Sequence, residues 1–72
     1  MLTATLETVK HLVGQEFKLS TVPVNETFGK GMGANRTKLQ RLEGALKPTF
    51  GKTCNVFFSD TVLSLTDKLQ KL

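Results

Sequence analysis

The sequence predicts an all-α fold: a small bundle of three main helices, with a long first loop and a short irregular or one-turn helical piece. Three stretches carry apolar residues at spacings of three and four, which is the period of a helix with one buried face. The chain has 72 residues, of which 39% are hydrophobic. This length and composition favour one compact domain, spanning residues 1–72, over a disordered segment.

The first helix is predicted to lie near the start of the chain. Its apolar stripe recurs at spacings of four, three, four and four: Leu2, Leu6, Val9, Val13 and Phe17. Thr3 or Thr5 is expected to cap its start, because a hydroxyl there can accept a hydrogen bond from a free backbone N–H. After Phe17 the helical period is lost. Pro23 and three glycines predict a loop from Lys18 to Gly33, fixed to the core by four side chains: Val22, Val24, Phe28 and Met32.

The second helix is predicted to begin near Asn35, an acceptable N-cap, and to run to about Leu46 or Lys47. Pro48 disfavours helical geometry at the residue before it, so we expect an end or a kink there. The stretch from Thr49 to Phe58 is short and aromatic. Ser59 or Asp60 is then expected to cap a last helix, whose stripe is Val62, Leu65, Leu69 and Leu72.

The net charge of +4 is concentrated in one part of the chain. From Lys30 to Lys52 there is a single acid, Glu43, against six basic residues: Lys30, Arg36, Lys38, Arg41, Lys47 and Lys52. Such a patch predicts docking on an acidic protein surface, and it leaves a nucleic-acid backbone or a phosphate open as the partner. The nucleic-acid alternative is the weaker one, because the chain has no Tyr or Trp for base stacking.

Several function classes are disfavoured by the residues that the chain lacks. No apolar run is long enough for a membrane span, and the N-terminus does not resemble a signal peptide. One cysteine, Cys54, forms neither an internal disulfide nor a metal site, so a cytoplasmic or other reducing intracellular compartment is the expectation. His11 has no nucleophile or acid spaced to act with it, and we expect no enzymatic role and no cofactor. The glycines at 29, 31 and 33 match neither common phosphate-binding spacing.

Residues 28–51 resemble a known family. The text F-G-K-G-M-G-A-N, followed by R-T-K-L-Q-R-L-E-G-A-L-K-P-T-F-G, is similar to the second-helix motif of acyl carrier proteins, F-x-x-D-L-G-x-D-S-L and E-L-V-x-x-L-E-x-x-F-G. Without a gap, six residues fall on family positions: Phe28, Gly33, Leu42, Leu46, Phe50 and Gly51. Met32 replaces a leucine. Val9 to Phe17 looks like the first helix of the family, and Val22 matches its inward-facing loop valine.

The resemblance implies a carrier-type helical bundle, but the residue that holds the prosthetic group is replaced. The D-S-L of the family becomes Asn35-Arg36-Thr37, so Arg36 stands where a serine accepts phosphopantetheine. Thr37 comes one residue late, about 100° around the helix. The family's second helix is acidic, whereas this one carries four cations, so the usual basic partner enzymes are expected to bind poorly.

The function predicted from these observations is a degenerate carrier-like domain without phosphopantetheine that docks on a protein through its basic second helix. The candidate contacts are Arg36, Lys38 and Arg41, with Met32 as an apolar anchor. Two adjacent phenylalanines, Phe57 and Phe58, do not both face inward easily, and one is expected as a partly exposed contact. Two alternatives stay open: a carrier-related protein of fatty-acid or polyketide metabolism, including one with a free lipid in its core, and a small basic nucleic-acid-binding domain.

Overall fold

The computed structural model describes all residues from 1 to 72 and confirms the all-α prediction. It contains three helices, α1 (Leu6–Phe17), α2 (Arg36–Phe50) and α3 (Val62–Gln70). Helix α1 packs against both α2 and α3, whereas no Cα atom of α2 lies within 8 Å of a Cα atom of α3. The central helix of the bundle is therefore α1. None of the three helices has the length and apolar character that a bilayer crossing needs.

Most residues of the predicted apolar stripes belong to one core cluster of 16 buried residues, which also contains loop residues such as Phe28 and Val56. The largest side chains with almost no exposed surface are Phe28, Leu42, Leu46, Leu65, Leu69, Val9, Val13 and Val62. Full burial of such a side chain stabilises the fold by about 1.5–3 kcal/mol. The rings of Phe17 and Phe28 meet edge to face, with centroids 5.7 Å apart, so the long loop is attached to the end of α1.

The first helix begins later than its stripe suggests. Thr5 is the N-cap, and it forms a capping box with Thr8, in which each side chain accepts from the backbone N–H of the other residue. Leu2 lies outside the helix with a half-exposed side chain, so its place in the buried stripe was predicted wrongly. Its backbone N–H instead donates to the carbonyl of Thr49 at 2.8 Å.

The second helix starts at the predicted cap but continues beyond the predicted end. The Asn35 side chain accepts from the backbone N–H of Lys38, as expected for an N-cap. The helix then passes through Pro48 and ends at Phe50. Phe50 is buried, and burying this ring favours one more helical turn. Because proline has no N–H, the helical hydrogen bond to the carbonyl of Gly44 is missing. Gly44 is exposed, so water can reach this carbonyl instead.

The last helix has a different cap from the predicted one. Thr61, not Ser59 or Asp60, is the N-cap and forms a capping box with Ser64. Leu72 lies beyond the helix and is 62% exposed, so it does not extend the buried stripe. Residues 51–61 contain no helical turn; they have a bend at Gly51, a turn at residues 58–59 and, at Thr61, an isolated antiparallel bridge to Thr27.

Candidate functional site

Most backbone N–H groups of the glycine-rich loop ahead of α2 are already hydrogen-bonded within the chain. The N–H groups of Phe28 and Gly29 donate to the carbonyls of Asp60 and Phe58, at 2.9 and 3.0 Å. Four further N–H groups donate to acceptors inside residues 27–28: those of Lys30, Gly31, Met32 and Ala34. Because a phosphate cradle needs free N–H groups, this loop as folded does not provide one.

Two of the glycines are explained by the local backbone. At Gly31 an added Cβ would collide with the Cβ of Glu26, so only glycine lets the two chain segments pass this closely. At Gly33 the φ angle is +61°, a left-handed conformation that glycine adopts without strain. These residues turn the chain into α2, as expected from the sequence.

The four cations of α2 do not share one face. Successive residues of a helix are about 100° apart, so Arg36 and Arg41 point about 140° away from each other. Both are exposed. Lys38 is half-buried, and its ammonium lies 5.9 Å from the ring centroid of Phe17. Lys47 projects from the helix axis within about 20° of the direction of Arg36, three turns further along α2.

Met32, the predicted apolar anchor, is only 9% exposed and belongs to the core cluster. Its side chain closes the loop against the bundle in this conformation. The surface of Met32 that a partner could reach is therefore small, and Met32 is not one of the contacts in the function proposed below.

A groove runs between the first half of α2 and residues 56–58, and it is called the α2 groove below. Its volume is about 330 Å³. Arg36, Gln40 and Glu43 line it from α2, and the two phenylalanines line it from the opposite side. Leu39 and Val56, both buried, also contribute to its lining. The fold thus leaves Phe57 and Phe58 56% and 46% exposed, next to an arginine.

The wall of the α2 groove is held by polar side chains from two helices. Glu43 of α2 accepts a hydrogen bond from the backbone N–H of Val56 at 2.6 Å. Lys68 of α3 donates to the carbonyl of Asn55 at 2.7 Å and to the Asp60 carboxylate at 2.6 Å. The same ammonium lies 5.0 Å from the ring centroid of Phe57. These contacts fix residues 55–60 across the space between α2 and α3.

Two titratable groups near this wall have shifted pKa values. Burial opposes the charged form of Asp60, but hydrogen bonds from Lys68, the Phe57 N–H and Ser64 outweigh it and lower its pKa. For Cys54, burial is the main effect and raises the pKa of the thiol, although the nearby Lys68 ammonium acts in the opposite direction. A half-buried thiol with a raised pKa is a weak nucleophile at neutral pH.

A second groove, of about 310 Å³, lies between α1 and the start of the long loop. His11 is exposed at its edge, beside Glu7 and Lys10. No group of three or more His, Cys, Asp or Glu side chains in the chain is placed to hold a metal ion. Neither groove is an enclosed cavity, so the core as folded has no preformed space for a lipid.

Sequence reasoning missed three of the residues that shape the α2 groove. In the sequence Glu43 stands out only as the one acid of the basic stretch, Asp60 is a candidate helix cap, and nothing marks Lys68. One feature of the sequence does point to this region: the apolar pair Phe57-Phe58 directly precedes the turn residues Ser59 and Asp60.

A scan against protein-family models, a search of curated proteins and a search of solved structures found no match to this chain.

Proposed function

We propose that this chain is a non-catalytic interaction module that docks on an acidic protein surface through the basic helix α2. The observation that carries the proposal is that no cation of α2 has a carboxylate partner. The chain has two ion pairs, and both use lysines of α3 and its cap, Lys68 with Asp60 and Lys71 with Asp67. The positive charge of α2 is thus available to a partner.

The sequence provides a second argument for the same proposal. Arg36 occupies the position at which the resemblance to acyl carrier proteins implies a phosphopantetheine serine, and a guanidinium cannot form the phosphoester. A domain of this kind would retain a recognition helix and lose the cargo. Opposite charges across an interface speed the encounter and set the orientation of the complex, which gives the exposed cations of α2 a role.

Charge reversal on α2 tests the proposal. We expect the double variant Arg36→Glu/Arg41→Glu to lose the partner that the wild-type chain captures from its native source. The matched control is Lys10→Glu/Lys18→Glu, which changes the net charge equally but on α1 and its C-cap. Circular dichroism checks that both variants keep their helices. Equal capture by the two double variants would contradict docking through α2.

Intact mass spectrometry of the natively produced chain tests the non-carrier part of the proposal. We expect the unmodified mass. A covalently attached 4′-phosphopantetheine would show that the chain carries an acyl group despite Arg36, and the proposal would fail.

A further inference from the structure

We infer that the α2 groove binds a short peptide segment of a partner protein in which a carboxylate side chain stands next to a large apolar one. The inference rests on the proposed docking function, and it names the part of the surface and the chemistry of the segment that the surface recognises. It follows from the exposed rings, from the one guanidinium at the groove that has no partner in the chain, and from the position of that guanidinium on α2.

The apolar half of the segment is indicated by the two phenylalanines. Aromatic side chains dominate the binding energy of many interfaces, above all when they lie in a pocket with a buried apolar floor. Here Phe57 and Phe58 are about half exposed, and the buried Leu39 and Val56 lie beside them in the groove. The Phe57 ring is in contact with the Lys68 ammonium before binding, and the backbone of Phe58 is fixed by a hydrogen bond from the Gly29 N–H to its carbonyl.

The acidic half is indicated by the charges around the groove. Of its two charged residues, Glu43 is already engaged with the Val56 N–H, whereas Arg36 has no ionic partner. Just outside the groove, Asp60 and Lys68 neutralise each other. The hydrogen bond from a neutral N–H leaves Glu43 charged, so the groove is lined by one cation and one anion. Of these two groups only the Arg36 guanidinium has no polar partner in the chain, and its donors are therefore available to a carboxylate. A guanidinium pairs with a carboxylate through two parallel hydrogen bonds, which adds geometric specificity.

A short segment fits better than a broad acidic surface. The volume of about 330 Å³ is at the lower end of the range typical of ligand pockets. Arg41 points about 140° away from Arg36 and does not line the groove. One flat surface would not easily reach both cations, whereas a segment lying in the groove reaches Arg36 and both rings.

The test selects peptides from a displayed library of short random sequences on the immobilised chain. We expect the enriched sequences to place Asp or Glu next to a large apolar residue. For the best synthetic peptide, the variant Arg36→Glu should raise Kd at least about tenfold, and Arg41→Glu less than about threefold. Likewise Phe57→Ser should raise Kd at least about tenfold. Its control is Leu63→Ser on α3, where the apolar side chain is 44% exposed against 56% for Phe57, and this change should leave Kd unchanged.

Because Phe57→Ser could disturb the segment it belongs to, the unmodified chain provides a second measurement. Titration of the ¹⁵N-labelled protein with the peptide should shift the amide signals of Arg36, Gln40 and residues 56–58. Shifts confined to α1 and the second groove would overturn the inference.

The outcomes separate this inference from the docking proposal. If Arg36→Glu and Arg41→Glu weaken binding equally, the groove is not the site, but docking through the basic helix stands. If neither weakens binding, both fail. If duplex DNA binds more tightly than every selected peptide, and its affinity falls steeply with salt, the inferred peptide partner is wrong.

Discussion

Helix α1 and residues 51–61 both connect α2 with α3, but different forces hold them. Helix α1 reaches its neighbours through buried apolar side chains, among them Val9 and Val13 with no exposed surface. Residues 51–61 place one side chain, Val56, in the core. Their other attachments are mainly polar contacts, from Glu43 to Val56, and from Lys68 to Asn55 and Asp60. Lys52 adds a donor to the carbonyl of Leu69 at 3.2 Å.

This difference predicts that the two regions open at different free energies. Apolar burial is non-directional and large, so the packing around α1 should set the free energy of unfolding of the whole domain. Hydrogen bonds contribute less and depend on geometry, so residues 51–61 should open locally at a lower free energy. The α2 groove takes one wall from a helix packed into the apolar core and the other from a segment held largely by hydrogen bonds.

The largest expected effect comes from the apolar side. Leu46→Ala removes a fully buried side chain of α2 and should lower the free energy of unfolding by about 2–5 kcal/mol. For a domain of this size such a loss is a large part of the total stability. Urea unfolding followed by circular dichroism measures it.

Leu63→Ala is the matched control, because Leu63 is 44% exposed on α3. This change should lower the free energy of unfolding by less than about 0.5 kcal/mol. Similar losses for the two leucines would contradict the assignment of Leu46 to the packing that stabilises the whole domain.

A smaller and local effect is expected at the polar bridge. Glu43→Ala leaves the Val56 N–H without its acceptor, at a cost of about 1.5–3 kcal/mol. Amide hydrogen exchange at Val56 should then accelerate about tenfold or more, whereas exchange in α1 should change much less. Glu43→Gln keeps an acceptor oxygen and should retain most of the protection. Equal acceleration throughout α1 would show that residues 51–61 and the core open as one unit.

The same division explains which parts of the fold were predictable. The stripes of α1, α2 and α3 follow the helical period, and the Asn35 cap is a local signal, so the sequence predicts them. The end of α2 was missed because burial of Phe50 outweighs the local preference around Pro48. The cap of α3 was missed because the carboxylate of Asp60 is engaged by Lys68, Ser64 and the Phe57 N–H.

The candidate site was only partly predictable for a related reason. Arg36 is conspicuous in the sequence because it follows an N-cap and precedes the stripe of α2. The groove beside it depends on contacts between residues 13 positions apart in the chain, Glu43 with Val56 and Asn55 with Lys68. No local period encodes such pairs. A linear reading therefore finds the charge and one exposed ring, but not the groove that brings them together.

The smallest expected effect is a pH dependence that originates at Asp60. Its pKa in the folded chain lies below the ordinary value of 3.8, because three donors together outweigh the effect of burial. As the pH falls, the unfolded chain therefore takes up a proton first. The stabilisation is complete above the ordinary value and is lost as the pH falls through the folded-state value.

Thermal unfolding of wild type and Asp60→Asn tests this expectation. The wild type should have the higher Tm at pH 7, and the difference should shrink as the pH is lowered below about 4. Asp67→Asn is the control, because the exposed pair of Asp67 with Lys71 contributes little to stability at any pH. A constant difference between wild type and Asp60→Asn across this range would mean that the carboxylate charge does not stabilise the wall of the α2 groove.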